Sequence, residues 1–269
     1  MSDVLVLGST GTTGSRVLRG LRDEGVPVRA ATRNPVEPGQ IRFDWTDPGT
    51  YGPALEGVSA VYVVPPLGAV APGQLVEPFL AHAPEARVVL LSSSAVDEHT
   101  PGLGELYRLV RRQPGWAVLR PSWFMQNFTG DHLVARGARE GEIVTATGDG
   151  RVAFIDAHDI AAVAVRALLD PEPHNTEHLL TGPRALSYAE AAVLVTQRLG
   201  HPVTHRSVGT AEQIRRLADD GIPTAFAEVL AGLDEGIRAG AEDRVTTTVE
   251  QVTGRPARDF RTFAEEELR

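Results

Sequence analysis

Short apolar runs recur through the first half of the chain, at Val4–Leu7, Val26–Thr32, Ile41–Asp44, Val58–Val64, Arg87–Leu91 and Trp116–Leu119. Stretches with helical spacing separate most of them. One carries Arg16, Val17, Leu18 and Leu21, and others cover Thr50–Leu55, Gly73–Ala83 and Leu103–Arg112. Strands that are apolar without alternation are buried on both faces, and intervening helices make the crossovers between parallel neighbours. The pattern predicts a doubly wound parallel α/β sheet. After about residue 130 the alternation stops. Glu142–Ala146 and Arg151–Ile155 flank Thr147-Gly148-Asp149-Gly150, which predicts two strands around a turn. Asp159 is placed to cap a helix running through Ile160 to Leu168. Further helices are predicted over Tyr188–Leu199, Ala211–Asp219, Ala225–Ala239 and Phe260–Leu268. The expected organisation is a core over 1–130 and a smaller substrate lobe over 131–269, packed on the core and not folding independently.

The first run leads directly into Gly8-Ser9-Thr10-Gly11-Thr12-Thr13-Gly14 and then into the first helix. In a dinucleotide-binding turn the first glycine permits the bend, and the second lets backbone approach the pyrophosphate. The third lets helix and strand pack closely. The helix N-terminus adds free N–H groups and a positive dipole. The motif therefore predicts a Rossmann-type nucleotide site. The residues after the second strand discriminate between cofactors. An acid there accepts from a ribose 2′-hydroxyl, whereas an arginine pairs with a 2′-phosphate. The chain reads Ala30-Ala31-Thr32-Arg33-Asn34, so Thr32 and Arg33 point to NADP(H). By fold position, Asp44-Trp45 and Val64-Pro65 are expected around the adenosine, and Ser92 and Pro121 farther along the cofactor.

Composition narrows the chemistry. The 26 basic residues among 269 are all arginine, and there is no lysine and no cysteine. Schiff-base catalysis, a Walker lysine, a thiol nucleophile and disulfides are thereby excluded. A formal charge of -9 with scattered arginines argues against nucleic acid as a partner. The apolar runs are too short for a membrane span and none reads as a signal peptide, so a cytoplasmic globular protein is expected, acting on a small molecule. His174/His178 and His201/His205 have the i,i+4 spacing of zinc ligands, but Pro173, Pro202 and a strand-like context argue against a metal site.

Ser92-Ser93-Ser94 ends the fifth run, at the carboxyl edge where open α/β sheets bind ligands. Ser94 is the candidate polarising hydroxyl. Short-chain dehydrogenases, which the glycine spacing resembles, pair such a serine with a tyrosine and a lysine four residues on. Here the nearest approximation is Tyr107 with Arg111, and a surface tyrosine is the simpler reading. A ketone reduced to an alkoxide requires a proton donor. An iminium ion requires only hydride.

Leu119-Arg120-Pro121-Ser122-Trp123-Phe124-Met125-Gln126-Asn127-Phe128 is the most distinctive segment. It resembles the LRP-x-W-F-M-x-N signature of NmrA-like atypical short-chain reductases, and more narrowly that of festuclavine/agroclavine dehydrogenases. Ala146–Gly150, Phe154-Ile155, Asp159–Ala161, His174–Thr176, Thr181–Pro183 and Thr253–Pro256 agree with the resemblance. Fungal members usually carry a lysine where this chain has Thr12. The resemblance implies an NADPH-dependent reductase of a C=N bond, with Trp123, Phe124, Met125 and Phe128 walling the substrate. Core packing is the alternative for these four. Two other functions stay open: a dinucleotide-sensing regulator without turnover, and a quinone or cationic-dye reductase.

Overall fold

The computed structural model describes residues 3–66, 68–69 and 71–269. In chain order, β1 (Asp3–Val6), α1 (Gly14–Asp23), β2 (Val28–Thr32), β3 (Gln40–Arg42), α2 (Tyr51–Leu55) and β4 (Val58–Val63) come first. They are followed by α3 (Gly73–Leu80), β5 (Arg87–Leu91), α4 (Leu103–Val110) and β6 (Trp116–Pro121). Then come α5 (Leu133–Glu140), β7 (Glu142–Thr145), β8 (Arg151–Val152), α6 (Ala157–Leu169) and β9 (Thr176–Leu180). The remainder is β10 (Leu186–Ser187), α7 (Tyr188–Leu199), β11 (Thr204–Ser207), α8 (Thr210–Asp219), α9 (Thr224–Arg238), α10 (Thr248–Thr253) and α11 (Phe260–Glu267).

Seven strands form one parallel sheet in the order β3-β2-β1-β4-β5-β6-β9. The chain winds outward from β1 to β3, then restarts on the other side of β1 with β4. That reversal makes the carboxyl ends of β1 and β4 a topological switch point, where ligands of such sheets bind. Consecutive residues Val4, Leu5 and Val6 are all buried, which explains why the strand runs do not alternate. Leu5, Leu7, Val61 and Val63 pack with Val76, Phe79, Leu106 and Tyr107 in one core. Helix α1 packs with α6, where Gly20 meets Val165 so closely that a Cβ would lie 2.9 Å from its Cγ2.

The chain divides into two compact units, and not at residue 130. The first comprises Met1–Pro121, Ala157–Leu180 and Gln251–Gly254, and the second Ser122–Asp156, Thr181–Glu250 and Arg255–Arg269. The expected boundary misses this because α6 and β9 return to the sheet, β9 pairing with β6 from Ala117 to Pro121.

In the second unit the expected pair of strands around Thr147–Gly150 does not pair with itself. Strand β7 lies parallel to β11 and β8 antiparallel to β10. Gly150 is pressed against α9, where a Cβ would stand 2.2 Å from the Ile237 carbonyl oxygen, and this contact sends the chain away from β7. Asp159 lies inside the first turn of α6, not ahead of it. The unit's core gathers Met125, Phe128, Phe154, Tyr188, Phe260 and Phe263. A capping box starts α7: Ser187 Oγ accepts the Glu190 amide at 3.1 Å, and Glu190 accepts the Ser187 amide at 2.8 Å. No helix among the described residues is long and apolar enough to cross a membrane.

Candidate active site

In the first unit the expected cofactor residues all fall at the carboxyl ends of adjacent strands. Gly8 leaves β1 with φ +61°, in the left-handed region, and a Cβ there would touch Val64 Cγ2 at 3.2 Å. Gly14 is pressed harder: its Cβ would stand 2.1 Å from the Gly8 carbonyl oxygen and 3.1 Å from that of Leu7. The loop is thus closed on itself at a distance only glycine allows. Helix α1 begins with no side-chain cap and no acidic residue in its first turn, so its positive end is not neutralised locally. Gly8, Thr10, Gly11 and Thr12 are exposed. Together they form a cradle of the kind that takes a pyrophosphate.

Ser9 and Thr13 are buried. The Ser9 hydroxyl donates to the Ala31 carbonyl at 2.8 Å, so it anchors the loop to β2, and only its backbone is left for a ligand. Arg16 Nη1 donates to the Thr12 carbonyl at 2.7 Å and braces the same turn.

At the end of β2, Thr32 is half-buried and Arg33 exposed. Asp44 Oδ1 accepts the amide and hydroxyl of Thr46 at 2.9 and 2.8 Å. These bonds, helped by the positive charges of Arg33 and Arg42 and opposed by partial desolvation, hold its carboxyl below the ordinary range. Asp44 is therefore an anion next to the Arg33 corner. Trp45 serves mainly as a tie. Its indole donates to the Val64 carbonyl at 3.2 Å, and its ring packs edge-on against Phe43, Tyr51 and Phe79. That bond also occupies one lone pair of Val64. Pro65 follows, half-buried.

Ser92, Ser94 and Pro121 meet at the ends of β5 and β6, where the Ser94 amide donates to the Pro121 carbonyl at 2.9 Å. Ser94 is 3% exposed. Tyr107 is not the surface tyrosine expected. It is fully buried, its hydroxyl donates to the Val96 carbonyl at 2.9 Å, and Ser92 Oγ lies 3.0 Å away. Burial pushes its pKa up, against weaker lowering by Ser92 and Arg120. Arg111 is turned elsewhere, to Glu98 and Glu177 at 2.5 Å each. The Tyr107–Arg111 spacing therefore does not reproduce a tyrosine–lysine relay.

The aromatic segment lies in the second unit, which the chain enters at Ser122. Met125 and Phe128 are core: Phe128 packs against Phe154, Tyr188 and Phe260. Trp123 and Phe124 are half-buried, held by the Ile155 amide on the Trp123 carbonyl at 2.9 Å and by a bridge from Phe124 to Ile155. Of the four, Trp123 lines a cavity of about 820 Å³ whose walls all belong to this unit, from α5, β7, α8 and α9.

Two features escaped sequence reasoning. Asp234, on α9, also lines that cavity. Its sequence signal was available, as an acid in the stripe Ala227, Leu230, Ala231, Ile237. Glu242, 3% exposed, accepts from Ser122 Oγ at 3.3 Å and pairs with Arg244; nothing in its local sequence marks it. His174 is bound to His178 at 2.8 Å and to Asp170 at 2.9 Å. No cluster of three or more potential metal ligands occurs among the described residues.

No protein-family model matches the chain. Individual relatives do, over nearly its whole length. It is 44% identical to the uncharacterized oxidoreductase YesF of Bacillus subtilis, over 97% of this chain and 93% of that one. It is 36% identical to a festuclavine dehydrogenase of Aspergillus fumigatus, over 98% of this chain and 97% of that one. Among solved structures, an NADPH-dependent quinone oxidoreductase from Escherichia coli superposes with a TM-score of 0.82 at 21% identity, covering 98% of each chain. By these likenesses and its glycine loop, the chain belongs to the NmrA-like atypical short-chain dehydrogenases/reductases, the family of the festuclavine and agroclavine dehydrogenases.

Proposed function

We propose that the protein is an NADPH-dependent reductase that delivers hydride to an imine, iminium or conjugated acceptor of a small molecule. The observation that carries this reading is the state of Tyr107. In a chain without lysine, its hydroxyl is buried and committed to Val96 and Ser92. A site that must protonate an alkoxide needs an accessible acid, whereas an iminium takes hydride and leaves a neutral amine. The clavine dehydrogenases among its relatives support an acceptor of this class.

The glycine loop fits a dinucleotide: it closes on the Gly8 carbonyl at a distance that leaves no room for a Cβ at Gly14, and α1 begins with no side-chain cap and no acid in its first turn. Gly8 to Gly14 would hold the pyrophosphate, Thr32 and Arg33 the 2′-phosphate, and Asp44 the adenine amine. Bound NADPH supplies the hydride. The chain's own part is to fix both reactants and to exclude water.

NADPH oxidation followed against cyclic iminium ions, azo compounds, quinones and simple ketones tests the reading. Turnover of iminium ions with little of ketones is expected. Efficient ketone reduction would overturn it, and tight NADPH binding without consumption by any acceptor would make the protein a dinucleotide sensor. Arg33→Ala should raise the NADPH KM about 10- to 100-fold and leave that for NADH unchanged, the loss of one charge-assisted phosphate contact.

A further inference from the structure

The glycine loop carries no charge of its own. From Gly8 to Gly14 it holds only glycine, serine and threonine, in a chain of formal charge -9 without lysine. A dinucleotide brings a negative charge on each phosphate of its pyrophosphate, whereas a helix N-terminus offers roughly half a positive charge. Backbone amides add dipoles. Those of Gly11 and Ser15 are engaged inside the loop, on the Gly8 and Gly11 carbonyls at 2.8 and 3.1 Å. Those of Thr10, Thr12 and Thr13 make no hydrogen bond among the described residues. The cradle therefore offers donors but lacks a full positive charge.

Arg16 stands where that charge is needed. It is the third residue of α1, half-buried, and its side chain turns back toward the loop. Nη1 donates to the Thr12 carbonyl at 2.7 Å, and Nε donates to Nδ1 of His158, in the first turn of α6, at 3.4 Å. All of these residues belong to the first unit. The two bonds fix the guanidinium beside the exposed Thr12, and Nη2 has no hydrogen-bond partner among the described residues. No carboxylate pairs with Arg16 among those residues either, and the first turn of α1 has no acid. Other arginines of the same unit are neutralised, Arg29 by Asp3, Arg42 by Asp47 and Arg111 by Glu98 and Glu177. A cation that is already held in place and has no counter-ion to give up costs little to recruit for an anionic ligand.

We infer that Arg16 is a cofactor-binding residue whose guanidinium supplies the counter-charge of the pyrophosphate, donating through Nη2 while Nη1 stays on Thr12. This rests on the reading of the glycine loop as a dinucleotide site and is independent of what is reduced. The two arginines then divide the cofactor between them. Arg16 serves the pyrophosphate that NADPH and NADH share, and Arg33 the 2′-phosphate that only NADPH carries.

The test is equilibrium binding of NADPH, NADH and adenosine 2′-monophosphate, by calorimetry and by competition, to wild type, Arg16→Gln, Arg16→Lys and Arg33→Ala. Adenosine 2′-monophosphate has the 2′-phosphate and no pyrophosphate. Arg16→Gln keeps a donor for Thr12 and removes the charge. It is expected to weaken NADPH and NADH by the same factor, about 10- to 100-fold in Kd, and to leave adenosine 2′-monophosphate unchanged. Arg33→Ala should weaken NADPH and adenosine 2′-monophosphate and leave NADH unchanged. Arg16→Lys should recover part of the loss, and the fall of NADPH affinity with rising salt should be shallower in Arg16→Gln than in wild type, because one ionic contact is gone. Thermal melts verify that each variant is folded. Wild-type nucleotide affinities in Arg16→Gln, or equal weakening of all three nucleotides, overturns the inference. So does a loss that Arg16→Lys does not recover and that leaves the salt dependence as in wild type, which would make Arg16 a brace of the loop alone. Failure of wild type to bind any of the three would remove the dinucleotide reading and this inference with it. Since no turnover is measured, a failure of the reductase reading leaves the result intact.

Discussion

Gly14→Ala puts the cofactor loop to a test whose size follows from geometry. The new methyl would lie 2.1 Å from the Gly8 carbonyl oxygen, 2.7 Å from its carbon and 3.1 Å from the Leu7 oxygen. Ordinary carbon–oxygen contact begins well over 3 Å, so α1 must retreat by about 1 Å from β1, or Gly8 must rotate. All three obstacles are backbone, which cannot swing aside as a side chain can. Overpacking of this kind costs about 1–3 kcal/mol or more. It outweighs the ~1 kcal/mol that alanine gains over glycine in a helix. The control is the same substitution on α9: at Gly232 a Cβ meets nothing within 4 Å. Gly232→Ala should therefore stabilise by about 0.5–1 kcal/mol. Thermal unfolding should show Gly14→Ala lowered by several degrees and Gly232→Ala unchanged or slightly raised. NADPH titration should show at least a tenfold loss only for Gly14→Ala, because the helix N-terminus proposed to hold the pyrophosphate would have moved. Wild-type melting and wild-type NADPH affinity in Gly14→Ala would refute the argument that this contact shapes the cradle.

Tyr107→Phe should leave kcat within about threefold while costing ~1–2 kcal/mol of stability, since the Val96 carbonyl loses its donor. A hundredfold fall in kcat at unchanged stability would instead identify Tyr107 as the proton donor. His178 predicts a pH dependence of stability. Burial, aided by the neighbouring His174, lowers its pKa to about 4. Above pH 6.5 the imidazole is neutral folded or unfolded and contributes nothing; below it the unfolded chain takes up a proton that the native chain refuses until about pH 4. Stability should fall by about 3 kcal/mol across that window. Melts of wild type and His178→Gln from pH 7 to 4 check this, and parallel curves for the two would count against it.

The apolar runs and the glycine spacing determine the parallel sheet and its nucleotide cradle because both are local. A strand buried on both faces must be apolar throughout, and a loop that closes on its own carbonyl at Gly14 must lack a Cβ. All six strand runs in the first half therefore begin and end within two residues of the structure's strands. The place of Arg33 at the carboxyl end of β2 was legible for the same reason, since it follows the strand directly.

What the tertiary structure alone decided is the destination of residues whose neighbours are distant in sequence. Strand β7 finds β11 and β8 finds β10, because strands this short are paired by the burial around them and not by their own turn. Met125 and Phe128 go to the core while Trp123 reaches the cavity, although all three belong to one aromatic segment. Tyr107 is buried by Val96 and the sheet, which its i,i+4 spacing to Arg111 does not reveal. Asp234 becomes a fixed carboxylate only when the Ala146 amide, 88 residues away, meets it. Periodicity reports which face of an element is apolar; what that face will meet is set by packing.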